Sequence, residues 1–256
     1  MKKELAAFDR LLNVLNELRE KCPWDRKQTM ESLRNLTIEE TYELADAILK
    51  EDDTEIKKEL GDLLLHIVFY AKIKEEKGKF NITEVIHSLC DKLINRHPHV
   101  FGSTKVKDHK EVEENWEQIK MKEGYKSILS GVPDSLPALI KANRIQQKVR
   151  GVGFDWDQKE QIWDKVKEEL EELEEEVKKN NKDEIENEFG DLLFSIINAA
   201  RLYDIDPETA LEKTNQKFTN RFRYLEEKTI AEGLSLKKMN LEEMNHYWNR
   251  AKKKDK

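Results

Sequence analysis

The chain has 256 residues, 39% of them charged, and its formal net charge is −7. Only nine Gly and five Pro interrupt it, which suits a nearly all-helical protein of one or two domains. The acidic balance argues against duplex nucleic acid as the main partner, because neutralising phosphates requires a clustered basic surface.

The two cysteines, Cys22 and Cys90, form neither a disulfide framework nor a zinc site, which indicates a reducing compartment. The N-terminus lacks the apolar core of a signal peptide. No stretch approaches the ~18 apolar residues of a membrane span. We therefore expect a cytoplasmic protein that has no membrane partner.

Apolar residues at helical spacing predict five helices in the first half of the chain. They cover residues 4–20, about 37–50, 54–78, 81–96 and 111–122. We expect Thr37 to cap the second helix, because Glu40 follows it at the spacing of a capping box. The His97-Pro98-His99 sequence is expected to end the fourth helix.

A segment rich in Gly and Pro, residues 124–137, predicts a linker between an N-terminal domain (residues 1–123) and a C-terminal domain (residues 138–256). Helical spacing then resumes. The second-half helices are predicted at residues 138–150, 159–179, 183–203, 208–228 and 240–252. Pro207 fits the first position of the fourth of them.

An acidic signature, E-E-x-x-E followed by E-x-x-D, occurs once in each half. Its members are Glu39, Glu40, Glu43, Glu59 and Asp62 in the first half, and Glu168, Glu169, Glu172, Glu188 and Asp191 in the second. The first Glu precedes the Glu of E-x-x-D by 20 residues in both halves. Each signature leads into an apolar segment, residues 63–71 or 192–200, which we expect to be buried on nearly all sides.

Acids three or four residues apart share one face of a helix. Carboxylates that cluster beside an apolar interior must protonate, reach solvent or bind a cation. Hard oxygen ligands favour Mg²⁺, Mn²⁺ or Ca²⁺. A solvated helix face is the alternative, but repetition at equal spacing makes it the weaker interpretation.

Basic and aromatic residues repeat in the same order. Lys92, Arg96, Trp116 and Lys120 in the first half match Lys217, Arg221, Trp248 and Lys252 in the second. The shared order indicates an internal duplication. Lys217 and Arg221 lie one helical turn apart and suit a phosphate chain, while Trp248 suits stacking on a base. No G-x-x-x-x-G-K loop is present in the sequence, which excludes a P-loop enzyme.

Several longer motifs carry a family resemblance across nearly the whole chain. They are CPWDRKQT (22–29), EETYELADAI (39–48), ELGDLL (59–64), RHPHVF (96–101), GFDWD (153–157), KEELEEL (167–173), EFGDLLF (188–194) and KFTNRF (217–222). On these motifs the chain resembles the tandem-domain MazG family of nucleoside triphosphate pyrophosphohydrolases. The resemblance implies an all-α fold of two tandem four-helix cores and a homodimer. It also implies Mg²⁺-dependent hydrolysis of NTPs and dNTPs to the monophosphate and pyrophosphate, with Mn²⁺ as a substitute metal and a broad role in nucleotide-pool cleansing.

Carried over by position, the resemblance implies site residues in both halves. In the second half the Mg²⁺ ligands would be Glu169, Glu172, Glu188 and Asp191; Glu168 would activate water, Lys217, Arg221 and Lys252 would hold phosphates, and Trp248 the nucleoside. In the first half the ligands would be Glu40, Glu43, Glu59 and Asp62, with Lys92, Arg96, Trp116 and Lys120 as binding residues. The sequence leaves open whether the first site is active. At Asn187 related sites carry another acid, so we expect a second metal ion to bind less well.

Other functions remain open at this point. A di-iron carboxylate bundle uses E-x-x-H from two helices, and Glu84…His87 and Glu243…His246 have that spacing, although they are not equivalent in the repeat. The sequence His97-Pro98-His99 suggests a zinc site less well than a helix stop. A helical adaptor and a catalytically silent nucleotide sensor are the non-enzymatic alternatives.

Overall fold

The computed structural model describes residues 2–108, 111–112, 115–116, 119 and 127–254, and every regular element within these ranges is helical. The expected all-α fold is therefore confirmed. The chain divides into two compact units, Met1–Val106 and Lys107–Lys256. The domain limits and the linker at residues 124–137 stay predictions, and residues 124–126 lie outside the described part.

Most of the helix predicted over residues 111–122 also lies outside the described residues, but those that are described there are helical. None of the described helices is both long and apolar enough to cross a membrane. The cytoplasmic location expected from the sequence stays a prediction.

Among its described residues, the first unit contains four long α-helices and a short one. They are α1 (Lys3–Lys21), α2 (Met30–Leu49), α3 (Asp53–Glu76), α4 (Ile82–Arg96) and α5 (Pro98–Phe101). Helices α2 and α3 pack along each other. The core of the unit forms where α1 joins this pair, and it is filled by Leu15, Leu33, Val68, Phe69 and Ile73.

The expectation that Thr37 caps α2 was wrong. Thr29 is the N-cap, and it exchanges reciprocal hydrogen bonds with Ser32 in a capping box. The Thr37 side chain lies inside α2, where its hydroxyl donates to the Leu33 carbonyl at 2.9 Å and lies 2.6 Å from the Tyr70 hydroxyl. A search for Thr followed by Glu misses this cap because a Ser side chain supplies the returning bond.

Five α-helices of the second unit lie entirely within the described residues. They are α6 (Ala138–Arg150), α7 (Ile162–Lys179), α8 (Lys182–Leu202), α9 (Pro207–Ala231) and α10 (Leu241–Lys252). Helices α7 and α8 form a close pair that matches α2 and α3. The connection between them turns at Asn180, which takes the left-handed conformation (φ 56°) that Asn tolerates at the end of a helix. Helix α6 packs against α8 and α9, and α10 packs against α9.

The expectation that the apolar segments are buried on nearly all sides was also wrong. In α3 the side chains of Val68 and Phe69 are buried, but Leu60, Leu64 and Ile67 are 53%, 40% and 51% exposed. In α8 the equivalent positions are Phe189, Leu193 and Ile196, which are 51%, 57% and 46% exposed. Helices α3 and α8 therefore each bury one face in their unit and leave a second apolar stripe exposed.

A candidate carboxylate site in each unit

Helices α2 and α3 bring three acids of the first signature together. Glu40 and Glu43 come from α2 and Glu59 from α3, and one carboxylate oxygen of each lies within 4.8 Å of the others. The trio spans a gradient of exposure, because Glu43 is exposed, Glu40 is half-buried and Glu59 is only 2% exposed.

Electrostatics in this cluster disfavour the charged forms. Burial, hydrogen bonding with Glu59 and repulsion from Asp62 and Glu43 raise the pKa of Glu40. Asp62 is half-buried and is not one of the three mutually close acids, yet its charge reaches the cluster. The first unit therefore concentrates negative charge that nothing within the trio can offset.

The hydrogen bonding of the Glu59 carboxylate indicates whether a metal ion fits this cluster. Its Oε1 lies 2.8 Å from the Lys58 ammonium, but its Oε2 is buried and has no hydrogen-bond partner among the described residues. Leaving a buried charged acceptor unsatisfied is costly. The carboxylates of Glu40, Glu43 and Glu59 together are a suitable ligand set for a hard divalent cation such as Mg²⁺. The residues present therefore fit the ion that the sequence predicts.

The second unit repeats the cluster on α7 and α8. Glu169, Glu172 and Glu188 each place one oxygen within 4.8 Å of the others, and Glu169 is only 6% exposed. Partial burial and repulsion from Glu172 and Asp191 raise the pKa of Glu188. Asp191 is exposed and lies outside the trio, as Asp62 does in the first unit.

A lysine that the sequence interpretation missed lies on the second cluster. The Lys165 ammonium is 2.7 Å from Glu169 Oε1 and 2.9 Å from Glu168 Oε1. Hydrogen bonding to these two carboxylates raises the pKa of Lys165. Glu168, the residue expected to activate water, is thus already ion-paired. The sequence signal for this contact was that Lys165 precedes Glu168 by three residues and Glu169 by four. Ordinary ion pairs on the surface of a helix have the same spacing.

The predicted nucleotide-binding residues of the second unit lie on α9 and α10. The structure brings Arg221 and Trp248 together, with the guanidinium carbon 5.8 Å from the centre of the indole ring. Phe218, which the sequence interpretation also missed, lies 4.9 Å from that ring between centroids. Lys217 and Lys252 are both exposed. This arrangement offers an aromatic surface beside several cations.

The matching residues of the first half are less completely described. Lys92 is exposed and Arg96 half-buried, both on α4. Trp116 is half-buried but falls within the second compact unit. Lys120 lies outside the described residues. The binding role of these four residues stays a prediction.

The structure gives other uses to the residues of the alternative metal sites. The carboxylates of Glu84 and Glu243 each accept from a backbone N–H in the capping boxes that begin α4 and α10. His97 lies 2.6 Å through Nδ1 from the Leu93 carbonyl, at the end of α4. Asn187, at the position where another acid was expected, donates to Glu184 at 3.2 Å.

The fold and the two clusters define an all-α protein built from two helical units, each with a carboxylate site between a pair of helices. The sequence model of the MazG nucleotide pyrophosphohydrolase domain matches residues 28–101 and 157–225. The chain therefore belongs to the MazG family, and its predicted organisation as two tandem repeats is confirmed.

Two relatives of similar length agree with this assignment. The chain is 45% identical to the nucleoside triphosphate pyrophosphohydrolase/pyrophosphatase MazG of Thermotoga maritima, over 98% of both chains. It is 41% identical to the nucleoside triphosphate pyrophosphohydrolase of Escherichia coli K12, over 97% of this chain and 98% of the relative. A solved MazG-related protein from Thermotoga maritima covers 44% of this chain and 98% of its own length, with 27% identity and a TM-score of 0.40.

Proposed function

We propose that this protein is a Mg²⁺-dependent nucleoside triphosphate pyrophosphohydrolase that releases the monophosphate and pyrophosphate. The names of its full-length relatives support hydrolysis of nucleoside triphosphates. The observation that carries the metal dependence is the repeated carboxylate trio, in which Glu59 and Glu169 are almost completely buried. One lysine offsets only one carboxylate of each trio, Lys58 at Glu59 and Lys165 at Glu169, which leaves negative charge for a divalent cation to offset.

In the second unit Glu169, Glu172 and Glu188 would hold the ion, with Asp191 at the edge of the site. In the first unit Glu40, Glu43, Glu59 and Asp62 would do the same. When bound, Mg²⁺ or the substitute Mn²⁺ would offset the negative charge of the triphosphate and lower the pKa of bound water.

The side chains of the chain supply the other requirements of the reaction. Glu168 would accept a proton from the attacking water. As the water oxygen bonds to the α-phosphorus, the bond between the α-phosphorus and the bridging oxygen of the leaving pyrophosphate breaks. Lys217, Arg221 and Lys252 would bind the phosphates, Arg221 through two parallel hydrogen bonds and the lysines as point charges. Trp248 would stack on the base, which tolerates different bases because each has a π face. This tolerance favours a broad role in nucleotide-pool cleansing.

The products distinguish this reaction from other phosphohydrolase reactions. A panel of NTPs and dNTPs should yield equal amounts of monophosphate and pyrophosphate with Mg²⁺ and none with excess chelator. In ¹⁸O-labelled water the label should enter the monophosphate, because attack is at the α-phosphorus. Diphosphate with orthophosphate would contradict the proposal. Nucleotide binding without hydrolysis would instead support the catalytically silent nucleotide sensor. If the protein neither binds nor hydrolyses nucleotides, the helical adaptor is the alternative that remains.

Replacing Trp248 with Ala is expected to raise KM about 5- to 150-fold, because base stacking contributes about 1–3 kcal/mol. The kcat should change much less, since the indole would contact the base and not the phosphates. Steady-state pyrophosphate release measures both constants. Trp163→Ala is the matched control, because that indole is also partly exposed but contacts Tyr203 instead. An unchanged KM for Trp248→Ala would remove the stacking role.

We also propose that the exposed apolar stripes are covered in a homodimer. Leu60, Leu64 and Ile67 in α3 recur as Phe189, Leu193 and Ile196 in α8, and large exposed apolar patches mark interfaces. Gly61 and Gly190 adjoin these stripes, and a Cβ at either would meet nothing within 4 Å. Glycine inside a helix lowers stability by roughly 0.5–1 kcal/mol relative to alanine. Close approach of a second chain would explain why glycine occupies these two positions.

Leu64→Glu and Leu193→Glu are therefore expected to convert a dimer to monomers at micromolar concentration. A buried unpaired carboxylate in each stripe would oppose association. Sedimentation equilibrium measures the change in mass. Ile230→Glu, on an isoleucine of α9 that is 73% exposed, is the control and should leave the mass unchanged. A wild-type chain that sediments as a monomer would contradict the dimer.

A further inference from the structure

We propose that Lys165 is a built-in counter-ion of the second-unit site, which a metal ion must displace, and that this displacement also frees Glu168. The inference rests on the proposed function, because it concerns the metal that this site would hold. It goes further in two respects. Lys165 competes with the metal ion for Glu169, and binding of the metal ion also releases Glu168, the carboxylate that would activate water.

The contacts of Lys165 carry the first step. Its ammonium lies 2.7 Å from Glu169 Oε1 and 2.9 Å from Glu168 Oε1, so one positive charge bridges two acids. The Glu169 side chain is 8% exposed, while that of Glu168 is 56% exposed. Lys165 therefore joins the most buried member of the trio to an acid that faces solvent.

Lys165 and a divalent metal ion cannot both bind Glu169, because each neutralises the same negative charge and the two cations repel each other. Three ionised carboxylates carry a formal charge of −3, and their nearest oxygens lie within 4.8 Å of one another. A divalent ion bound to Glu169 would lie within a few ångström of the Lys165 ammonium if the ion pair persisted. Like charges at that separation repel strongly where water is partly excluded. Metal binding at Glu169 is therefore expected to expel Lys165.

The first unit also places a lysine against its most buried carboxylate, but from a different position in the sequence. Lys58 lies 2.8 Å from Glu59, the most buried ligand candidate there. The position equivalent to Lys165 in the first unit is Leu36, which packs against the core, and the position equivalent to Lys58 in the second unit is Asn187. Two units with lysines at non-equivalent positions both place an ammonium on their innermost carboxylate. The cluster thus requires a cation in each unit.

The two solutions differ in their consequence for the reaction. Lys58 pairs with Glu59 at 2.8 Å and Glu55 at 3.6 Å, and neither is the first Glu of the signature. Lys165 pairs with Glu168, which the proposed reaction uses as the base. Only in the second unit, among the described contacts, would expelling the lysine free both a metal ligand and the base.

Binding of Mn²⁺ to the metal-free full-length protein tests the inference without relying on activity. Glu43→Gln serves as the background, so that binding reports on the second unit. In that background Lys165→Met should lower the Kd for Mn²⁺ about 3- to 5-fold in calorimetry, the upper part of the range expected for removing a partly exposed competing ion pair. The rise in melting temperature on adding Mn²⁺ should also increase.

Lys167→Met is the matched control, because this lysine lies two residues away on α7 and pairs with Asp164 at 3.4 Å instead. Its Kd should stay within about twofold of the background. Lys165→Gln removes the charge but keeps a polar side chain, and it should reproduce the lower Kd even if Lys165→Met folds poorly. Intact Mn²⁺ binding with an equal or higher Kd for the Lys165 variants overturns this inference alone. A wild-type chain that binds no Mn²⁺ overturns the proposed metal dependence as well.

Discussion

Glu172→Gln and Asp191→Asn are each expected to reduce pyrophosphate release roughly 10²- to 10⁴-fold. A metal ion contributes several kcal/mol to stabilising charge in a phosphoryl transition state, and each factor of ten in rate corresponds to about 1.4 kcal/mol. Both residues are exposed at the helix surface, so the helices should remain intact. The measurement is kcat/KM with saturating Mg²⁺, together with circular dichroism to verify folding.

Matched substitutions in the first unit decide what that unit does. Glu43→Gln and Asp62→Asn remove the equivalent carboxylates. If only the second-unit variants lose activity, the first unit is a scaffold or a binding site. Glu174→Gln is the control, since it removes an exposed acid from α7 that is not in the trio. Unchanged release by all four variants would remove the catalytic interpretation of both clusters.

The sequence predicted the helices well because their ends depend on local chemistry. Asp52, Asn81 and Asp206 accept from backbone N–H groups at the start of α3, α4 and α9, and such caps are recognisable from residue type alone. The N-cap of α2 was misplaced by eight residues, at Thr37 instead of Thr29, because Thr37 has the capping-box spacing to Glu40. Packing decides between the two threonines, since the Thr37 hydroxyl contacts Tyr70 of α3.

The candidate site was predictable only in part, because helical spacing fixes which acids share a face but not how deep each one lies. The structure brings Glu169, Glu172 and Glu188 together and leaves Asp191 exposed. Lys165 was missed because a lysine three or four residues from an acid is common on solvated helices. Its importance depends on the burial of Glu169, which only the pairing of α7 with α8 creates.

The last expected result concerns the loop that precedes α7. Arg201, near the end of α8, is 7% exposed, and its guanidinium donates to both carboxylate oxygens of Asp155, one of them at 3.0 Å. It also donates to the Asn198 amide oxygen at 3.0 and 2.7 Å. These bonds fasten the GFDWD loop, residues 153–157, to the helix that carries Glu188 and Asp191.

Asp155→Asn is expected to lower the free energy of unfolding at pH 7 by roughly 3 kcal/mol, because it leaves a nearly buried guanidinium without its counter-charge. Urea denaturation measures the difference. Asp157→Asn is the control, since that acid is exposed in the same loop and should change stability by less than about 0.5 kcal/mol. Adding Arg201→Met to Asp155→Asn should restore part of the loss, because no buried charge then remains.

The pH dependence of this difference follows from the carboxyl group of Asp155. Burial alone would raise its pKa, but hydrogen bonds from Arg201 and Trp156 and the charges of Arg201 and Arg150 outweigh burial and lower it. A pKa that is lower in the folded state stabilises the protein above the unfolded value of about 3.9, and this contribution is lost as the pH falls through the folded value. The gap between wild type and Asp155→Asn should therefore be constant from pH 7 to about pH 5 and shrink below about pH 4. A gap that persists unchanged to pH 2 would mean that the loop is held by packing rather than by this ion pair.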